Sequence, residues 1–381
     1  MLRAAKHRSA EWERRMAHPF PRSDPSPHSG SGCHAETGDL DIIELMFYTR
    51  SCKDHSRMDR AHDDEGGSRL QLRLGVAVKI MGRGGMRVAD ERRGMHTPHL
   101  SLSLLMLRDV LLYLASQQVG CYRLPDAVLP VRNMDLARIA QQLAACRALL
   151  AEVGGLAQRH AIRLTIHSGM HVVVGSRDAA VAQRGLHEVT ALAMLLDALG
   201  CGPEGVIVVH VPAAQQALEV CADRILSLPS MVRRRIVSEI GEHGASLAAA
   251  LRLYQLCGVP VVFDTLHFQH NNPERLPLAV ALGLALATWP ADIRPKIHFS
   301  SQRTEAHLRG AQGDRGNHVI APRAGQHADY INPFEFLALL DAARGLPPFD
   351  IMLEAKAADL ALLRLRADLA QHAPVIAEEI R

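Results

Sequence analysis

The chain has 381 residues, of which 48% are hydrophobic and 22% are charged. This composition is typical of a globular protein with a large core and excludes a wholly disordered or fibrous chain. The formal net charge of +3 neither demands nor excludes a nucleic-acid partner, because local charge decides such binding. The seven cysteines form no CxxC pair, which predicts reduced thiols in a cytoplasmic protein and not a zinc–cysteine site.

Residues 1–70 differ in composition from the rest of the chain. They are rich in Ser, His, Arg, Gly and Pro, as in PRSDPSPHSGSG, with one short apolar island, IIELMF. This pattern predicts a disordered N-terminal arm without a packed core, followed by one folded domain over residues 71–370. The apolar run near 104–116 contains Arg108 and Asp109 and is too short to span a bilayer, so we expect no membrane partner.

From residue 71 onward, short β-branched or apolar runs alternate with Ala- and Leu-rich stretches of helical periodicity. Alternating strands and helices predict a parallel sheet of the α/β class, and eight such units predict a closed (β/α)8 barrel, or TIM barrel. The runs predict strands at 72–78, 119–124, 162–167, 205–211, 234–239, 260–264, 295–299 and 349–354. The intervening stretches predict helices at 103–117, 135–159, 185–199, 214–226, 246–257, 278–286 and 333–343.

Metal-ligating residue types cluster where the predicted strands end. The carboxyl ends of barrel strands meet at one end of the molecule, where such barrels carry out their chemistry. Taken singly, each of these side chains could be an ordinary hydrogen-bonded residue. Taken together, crowded carboxylates need a cation, and mixed imidazole and carboxylate sets suit Mn, Fe or Zn. The six strand ends carry His167, His210, Glu239, Asp264 with His267, Lys296 with His298, and Glu354.

Four strings in the chain resemble the UV damage endonucleases, which are relatives of endonuclease IV and of the xylose-isomerase-like barrels. The strings are VVFDTLHFQHNNPERLPL at 261–278, PKIHFSSQ at 295–302, HADYI at 327–331 and IMLEAKAADLALL at 351–363. The likeness runs from residue 73 to residue 363 and is most specific in the last third of the chain. It implies a metal-dependent DNA-repair endonuclease on a TIM barrel.

The resemblance also implies a trinuclear metal site, with manganese the expected metal and zinc or magnesium the alternatives. Lys296 is implied to be carboxylated and to bridge metals; the other interpretation is an ordinary lysine that binds phosphate. Lys296, His298 and Glu354 are the residues expected to be catalytic. The implied ligands are His167, His210, Glu239, Asp264, His267, Lys296, His298, His327 and Glu354.

The chain departs from the family pattern at the positions that read the lesion. Met170 and His171 stand where the family carries a Gln-Tyr pair that probes the damaged bases. The implied metal set is therefore complete, whereas the implied lesion-reading surface is changed. The other departures are Val76, Pro212-Ala213, Ile240-Gly241-Glu242 and Phe268.

The reaction implied is hydrolysis of the phosphodiester bond immediately 5′ to a UV photoproduct, such as a pyrimidine dimer, in double-stranded DNA. Metals suit it because they activate water and stabilise the departing oxygen. No GxxxxGK[ST] motif is present, which fits a reaction without ATP. We expect a monomer.

Residues that would contact DNA lie after the first three strands. The loop at 79–94 has several basic residues and glycines that allow the backbone to approach phosphate. Arg123 could hold a phosphate, and the bulky side chains of Met170 and His171 could wedge into the lesion. The basic residues of the loop are Lys79, Arg83, Arg87, Arg92 and Arg93.

Three alternatives stay open at this point. Two are other enzymes on the same barrel, an abasic-site endonuclease and a two-metal sugar isomerase, because fold alone does not decide function. The third is a non-catalytic DNA-binding descendant, suggested by the changed residues at 170 and 171. The large ligand set disfavours the isomerase and the non-catalytic protein.

Overall fold

The computed structural model describes residues 72–90, 99–131, 134–242, 244–309 and 318–380. The N-terminal arm predicted at 1–70, together with Arg92 and Arg93, lies outside these residues. Among the described residues, no helix combines the length and the apolar character needed to cross a membrane. The five cysteines in the described part of the chain are unpaired thiols.

Eight parallel strands form the barrel that the alternation of the sequence predicts. Their order is β6-β5-β4-β3-β2-β1-β10-β7. A parallel bridge between Asp264 and His298 joins the two outer strands, and the amide of His298 donates to the carbonyl of Phe263 at 2.9 Å. The strands are β1 (Arg73–Ala77), β2 (Cys121–Leu124), β3 (Arg163–His167), β4 (Ile207–His210), β5 (Ile236–Glu239), β6 (Val261–Val262), β7 (Lys296–Phe299) and β10 (Asp350–Leu353).

Helices follow most of the strands, and about half of those in the described residues begin at a side chain that accepts a backbone hydrogen bond. Asp178, for example, accepts from the amides of Ala180 and Val181 and so satisfies groups that the first helical turn leaves free. The helices are α1 (Leu100–Ser116), α2 (Leu136–Ala145), α3 (Arg147–Arg159), α4 (Ala179–Ala198), α5 (Gln215–Ser227), α6 (Ser230–Arg233), α7 (Leu247–Cys257), α8 (Thr265–His270), α9 (Leu278–Ala287), α10 (Pro333–Ala342), α11 (Asp359–His372) and α12 (Pro374–Ala377).

All eight predicted strands are present, but two predicted helices have other bounds, and four helices, α6, α8, α11 and α12, were not predicted. The single helix predicted at 135–159 is interrupted at Cys146, because α2 packs on α4 whereas α3 packs on α1. The helix predicted from 185 begins at Ala179, where Asp178 provides the cap. The sequence analysis also did not identify a two-stranded antiparallel hairpin, β8 (His307–Arg309) and β9 (His318–Ile320), in the excursion between β7 and α10.

The end of the barrel where the strands begin is held by a buried charge cluster around Asp350 on β10. Arg73 on β1 reaches its two oxygens at 2.7 and 2.8 Å, and Arg163 on β3 donates to it at 2.8 Å. Arg294, which precedes β7, lies 2.9 Å from the same carboxylate. One acid therefore links residues from four parts of the barrel at the end opposite the predicted site.

Candidate metal centre

Glu239, at the end of β5, lies at the middle of the predicted ligand set. Its Oε2 is 2.6 Å from Nε2 of His167 and 3.8 Å from Nδ1 of His210, which end β3 and β4. Its Oε1 contacts Nδ1 of His298 on β7. In a parallel barrel the ends of neighbouring strands converge, so residues distant in sequence meet around one carboxylate.

Asp264 and His267 are placed by the turn from β6 into α8. Asp264 caps this short helix, because its Oδ1 accepts the amide of His267 at 2.8 Å. The Nδ1 of His267 lies 2.8 Å from the carbonyl oxygen of Ile240. A carbonyl can only accept, so Nδ1 carries the proton and Nε2 keeps its lone pair for a ligand.

Glu354, which follows β10, is shared by three partners. Its Oε1 contacts Nη1 of Arg123 on β2 and lies 3.1 Å from Nδ1 of His298. Its Oε2 lies 3.9 Å from Nε2 of His327. The guanidinium of Arg123, which is predicted to hold a phosphate, is thus paired with a predicted ligand.

Lys296 occupies the interior of the barrel below His298. The two residues alternate with Ile297 along β7 and so share one face of the strand. The Lys296 side chain is fully buried, and its Nζ donates to the hydroxyl of Thr165 at 3.4 Å. Within the described residues, no carboxylate lies within ion-pair distance of this ammonium group.

Burial dominates the protonation of these groups. It lowers the pKa of His298 to about 4 and the pKa of Lys296 to about 8, so the imidazole is neutral at physiological pH. Burial raises the pKa of Asp264 to about 8. Burial also acts to raise the pKa of Glu354, but the positive charges around it, that of Arg123 foremost, together hold that pKa below its usual range.

The donor set fits divalent cations. The ligand atoms of Glu239, Asp264, His298 and Glu354 lie within 4.8 Å of one another, and all four residues are buried. Two buried atoms in the set, Oδ2 of Asp264 and Nε2 of His298, have no hydrogen-bond partner among the described residues. In addition, the ring of His167 lies between the carbonyl oxygen of Ser168, 2.8 Å from Nδ1, and Oε2 of Glu239, 2.6 Å from Nε2. Such an arrangement needs positive charge between its donors.

The residues predicted to contact DNA surround the mouth of the barrel, by which we mean the end where the strands terminate. Lys79, Arg83 and Arg87 are exposed on the loop after β1. Met170, after β3, is 75% exposed. The side chain of His171 is also exposed, but its Nε2 lies 2.8 Å from Oε2 of Glu188 on α4, so this ring has a partner within the protein.

Sequence reasoning missed the residue that holds the loop after β1. Asp359, at the start of α11, accepts the amides of Met81 and Gly82 at 2.6 and 3.0 Å and the hydroxyl of Tyr113 at 2.7 Å. A Cβ at position 82 would lie 2.6 Å from that carboxylate, which explains the glycine. Asp359 stands five residues after Glu354, but nothing in the sequence pattern pairs it with residues about 280 positions earlier.

The fold and the donor set together define a (β/α)8-barrel protein with a candidate polynuclear metal site at its mouth. The family model described as UV-endonuclease UvdE matches residues 88–379, which is most of the chain. The chain therefore belongs to the UV-endonuclease UvdE family and is a DNA endonuclease. Membership selects the endonuclease over the sugar isomerase and the non-catalytic descendant.

Individual relatives agree with this assignment. A UV DNA damage endonuclease of Bacillus cereus is 27% identical over 267 residues, covering 68% of this chain and 78% of the relative. A UV DNA damage endonuclease of Bacillus velezensis is 26% identical over 264 residues, covering 68% and 77%. The crystal structure of SacUVDE matches 79% of this chain and 98% of its own with a TM-score of 0.65; at 24% identity it bears on the fold alone.

Proposed function

We propose that this chain repairs DNA by hydrolysing the phosphodiester bond immediately 5′ to UV photoproducts in double-stranded DNA, without ATP. The cut leaves a 3′-hydroxyl and a 5′-phosphate. The convergence of imidazole and carboxylate donors around Glu239 carries the proposal, because such a set is suited to metal-assisted hydrolysis. Family membership supplies the class of substrate. We expect a monomer that acts in the cytoplasm.

The cations would be held by the nine predicted ligands, with manganese the expected metal. Bound there, they supply an activated water at neutral pH and neutralise charge on the phosphate. The chain keeps His298 neutral by burial, so its ring can ligate, and Arg123 keeps Glu354 ionised. Backbone carbonyls fix the rings of His167 and His267. Lys296, His298 and Glu354 are the proposed catalytic residues.

We propose further that Lys296 carries a carboxyl group and acts as an anionic ligand. Its burial among predicted ligands, with a hydroxyl as hydrogen-bond partner, supports this interpretation, because an unpaired buried ammonium group is unfavourable. Carbon-13 NMR of protein equilibrated with labelled bicarbonate should show a carbamate signal that Lys296→Arg abolishes. A spectrum without that signal in the metal-loaded protein would contradict the modification.

The substrate assignment is tested by nicking assays with manganese on three matched duplexes, one UV-irradiated, one abasic and one undamaged. The proposal predicts nicks 5′ to the photoproducts and little cleavage of the undamaged duplex. Cleavage at abasic sites alone would overturn the lesion assignment and would establish the abasic-site alternative. Addition of ATP should leave the rate unchanged.

The site assignment is tested by His298→Ala and Glu354→Ala. Each removes a buried predicted ligand, so nicking should fall by more than about a hundredfold while DNA binding is largely kept. His160→Ala is the matched control, because His160 is exposed and precedes β3 at the opposite end of the barrel. Unchanged nicking in both site variants would refute the proposed centre.

A further inference from the structure

The β8–β9 hairpin presents two large apolar side chains to solvent. Leu308 and Val319 are directly paired across the two antiparallel strands, so they lie on the same face, and they are 72% and 69% exposed. The neighbouring pair, His307 and Ile320, faces the other way, and Nε2 of His307 lies 3.9 Å from Oδ2 of Asp329. The hairpin therefore has an inner face that contacts the barrel and an outer apolar face.

Hydrogen bonds hold this hairpin beside the candidate metal centre. The buried guanidinium of Arg303 donates to the carbonyl oxygens of Glu305 and Ile320, at 2.9 and 3.2 Å, and so links its two sides. At its base, Gln302 forms a bridge with His327, one of the predicted ligands. Whatever the outer face contacts is thus fixed relative to the candidate centre.

The position of the hairpin in the barrel points to its partner. It follows β7, whereas Met170 follows β3, and three strands separate β3 from β7 in either direction around the closed sheet. The two exposed apolar elements therefore stand on opposite sides of the mouth. A duplex laid across the centre would meet both of them, with exposed Arg323 beside the hairpin and Lys79 on the loop after β1 available for phosphates.

We infer that the β8–β9 hairpin is a second lesion-reading element, whose Leu308–Val319 face presses into the minor groove of damaged DNA opposite Met170. Apolar side chains inserted between base steps unstack and kink a duplex, and a damaged step resists this least. A narrow two-residue wedge suits the minor groove, which is roughly 6 Å wide. The inference rests on the proposed function and names how that site selects its substrate.

The test compares Leu308→Thr/Val319→Thr with the wild-type chain. Threonine keeps the tendency to form strands but removes most of the apolar surface. Affinities for UV-irradiated and undamaged duplexes are measured by fluorescence anisotropy with the metal-loaded protein, and the duplexes carry a non-hydrolysable linkage at the expected cut site so that no cleavage occurs. We expect affinity for the irradiated duplex to fall about tenfold or more, and affinity for the undamaged duplex to change much less.

Val375→Thr is the matched control. Val375 is 73% exposed on α12, near the start of β1 at the far end of the barrel, and its substitution should leave both affinities unchanged. Wild-type affinities in the double variant would overturn the inference and would instead fit a protein-docking role for the face. An equal loss of affinity for both duplexes would refute the proposed role of the hairpin in recognising the lesion.

A second variant, Leu308→Trp, reports contact directly. Stacking of the indole against bases should quench its fluorescence when irradiated duplex is added, whereas Val375→Trp should not respond. No quenching at position 308 would contradict the inference even if the double variant bound weakly for another reason. Failure of the wild-type chain to nick irradiated DNA would refute the proposed function separately from these binding results.

Discussion

His298 illustrates how a single side chain is prepared for metal binding. Its Nδ1 faces carboxylate oxygens of both Glu239 and Glu354, an arrangement that would ordinarily favour the charged imidazolium. Burial opposes this and lowers its pKa to about 4, so the ring is neutral, as the proposed ligand role requires. A neutral ring can still donate one proton from Nδ1, but it leaves the negative charge of the two carboxylates uncompensated, a need that a bound cation would meet.

Also at the scale of one residue, Met170 and His171 should differ in their effect on lesion binding. Met170→Ala removes a projecting apolar side chain and should weaken binding of irradiated duplex about tenfold. His171→Gln should change it by about twofold or less, because His171 is held against Glu188. Equilibrium titrations of the two variants in parallel provide the comparison. A larger effect at position 171 would mean that its ring leaves Glu188 to contact DNA.

At the scale of elements, six of the eight barrel strands end at predicted ligands, while the loops that follow the strands determine what approaches them. The turn from β6 into α8 shows this, because Asp264 accepts the amide of His267 and the carbonyl of Ile240 holds its ring. The loop after β1, which is predicted to contact DNA, is a second example. Asp359 accepts two backbone amides of this loop and so holds the segment that carries Lys79 and Arg83. Loss of these hydrogen bonds should therefore weaken DNA binding and leave the candidate metal centre intact.

Asp359→Asn tests this prediction. The neutral amide cannot accept both backbone amides and the Tyr113 hydroxyl, so the basic loop should lose its fixed position. Affinities for damaged and undamaged duplexes should fall together, by about tenfold, because phosphate contacts do not depend on the lesion. Binding measured over a series of salt concentrations gives the readout, and metal content should not change.

Asp341→Asn, an exposed acid on α10, serves as its control and should bind like the wild type. A selective loss for damaged DNA in Asp359→Asn would indicate that the loop reads the lesion and does not simply hold phosphates.

The sequence predicted strands better than loops, and the reason is physical. Buried parallel strands are continuous apolar runs with few alternatives, and their ends carry His167, His210 and Glu239 at a fixed edge. The β8–β9 hairpin has only three residues in each strand and two exposed apolar side chains, so it has no buried periodicity to detect. The pairing of Arg123 with Glu354 likewise depends on tertiary geometry that sequence spacing does not encode.

At the scale of the whole molecule, the two ends of the barrel divide stability and chemistry. Around Asp350, three arginines and one buried acid hold the strand starts together, far from the mouth. Removal of that acid takes away the carboxylate that pairs with the buried guanidinium of Arg163 and one of the two carboxylates that pair with Arg73. Substitution of Asp350 should therefore lower the free energy of unfolding without removing a predicted ligand.

Asp350→Ala should lower the free energy of unfolding by about 3–5 kcal/mol, because it breaks a buried ion-pair network on one side only. Asp368→Ala is the control, since its pair with exposed Arg364 on α11 is worth about 0.3–0.5 kcal/mol. Urea unfolding followed by circular dichroism measures both. Similar midpoints for the two variants would show that the cluster at the barrel base adds little to stability.

If donors from separate strands hold a cluster of cations, nicking must depend on those cations. Elemental analysis of the purified full chain, combined with nicking assays before and after chelation, examines this dependence. We expect about three metals per chain, their loss in chelator, and parallel loss and recovery of nicking as manganese is removed and restored. Undiminished nicking of irradiated DNA by protein stripped of metal would contradict this expectation.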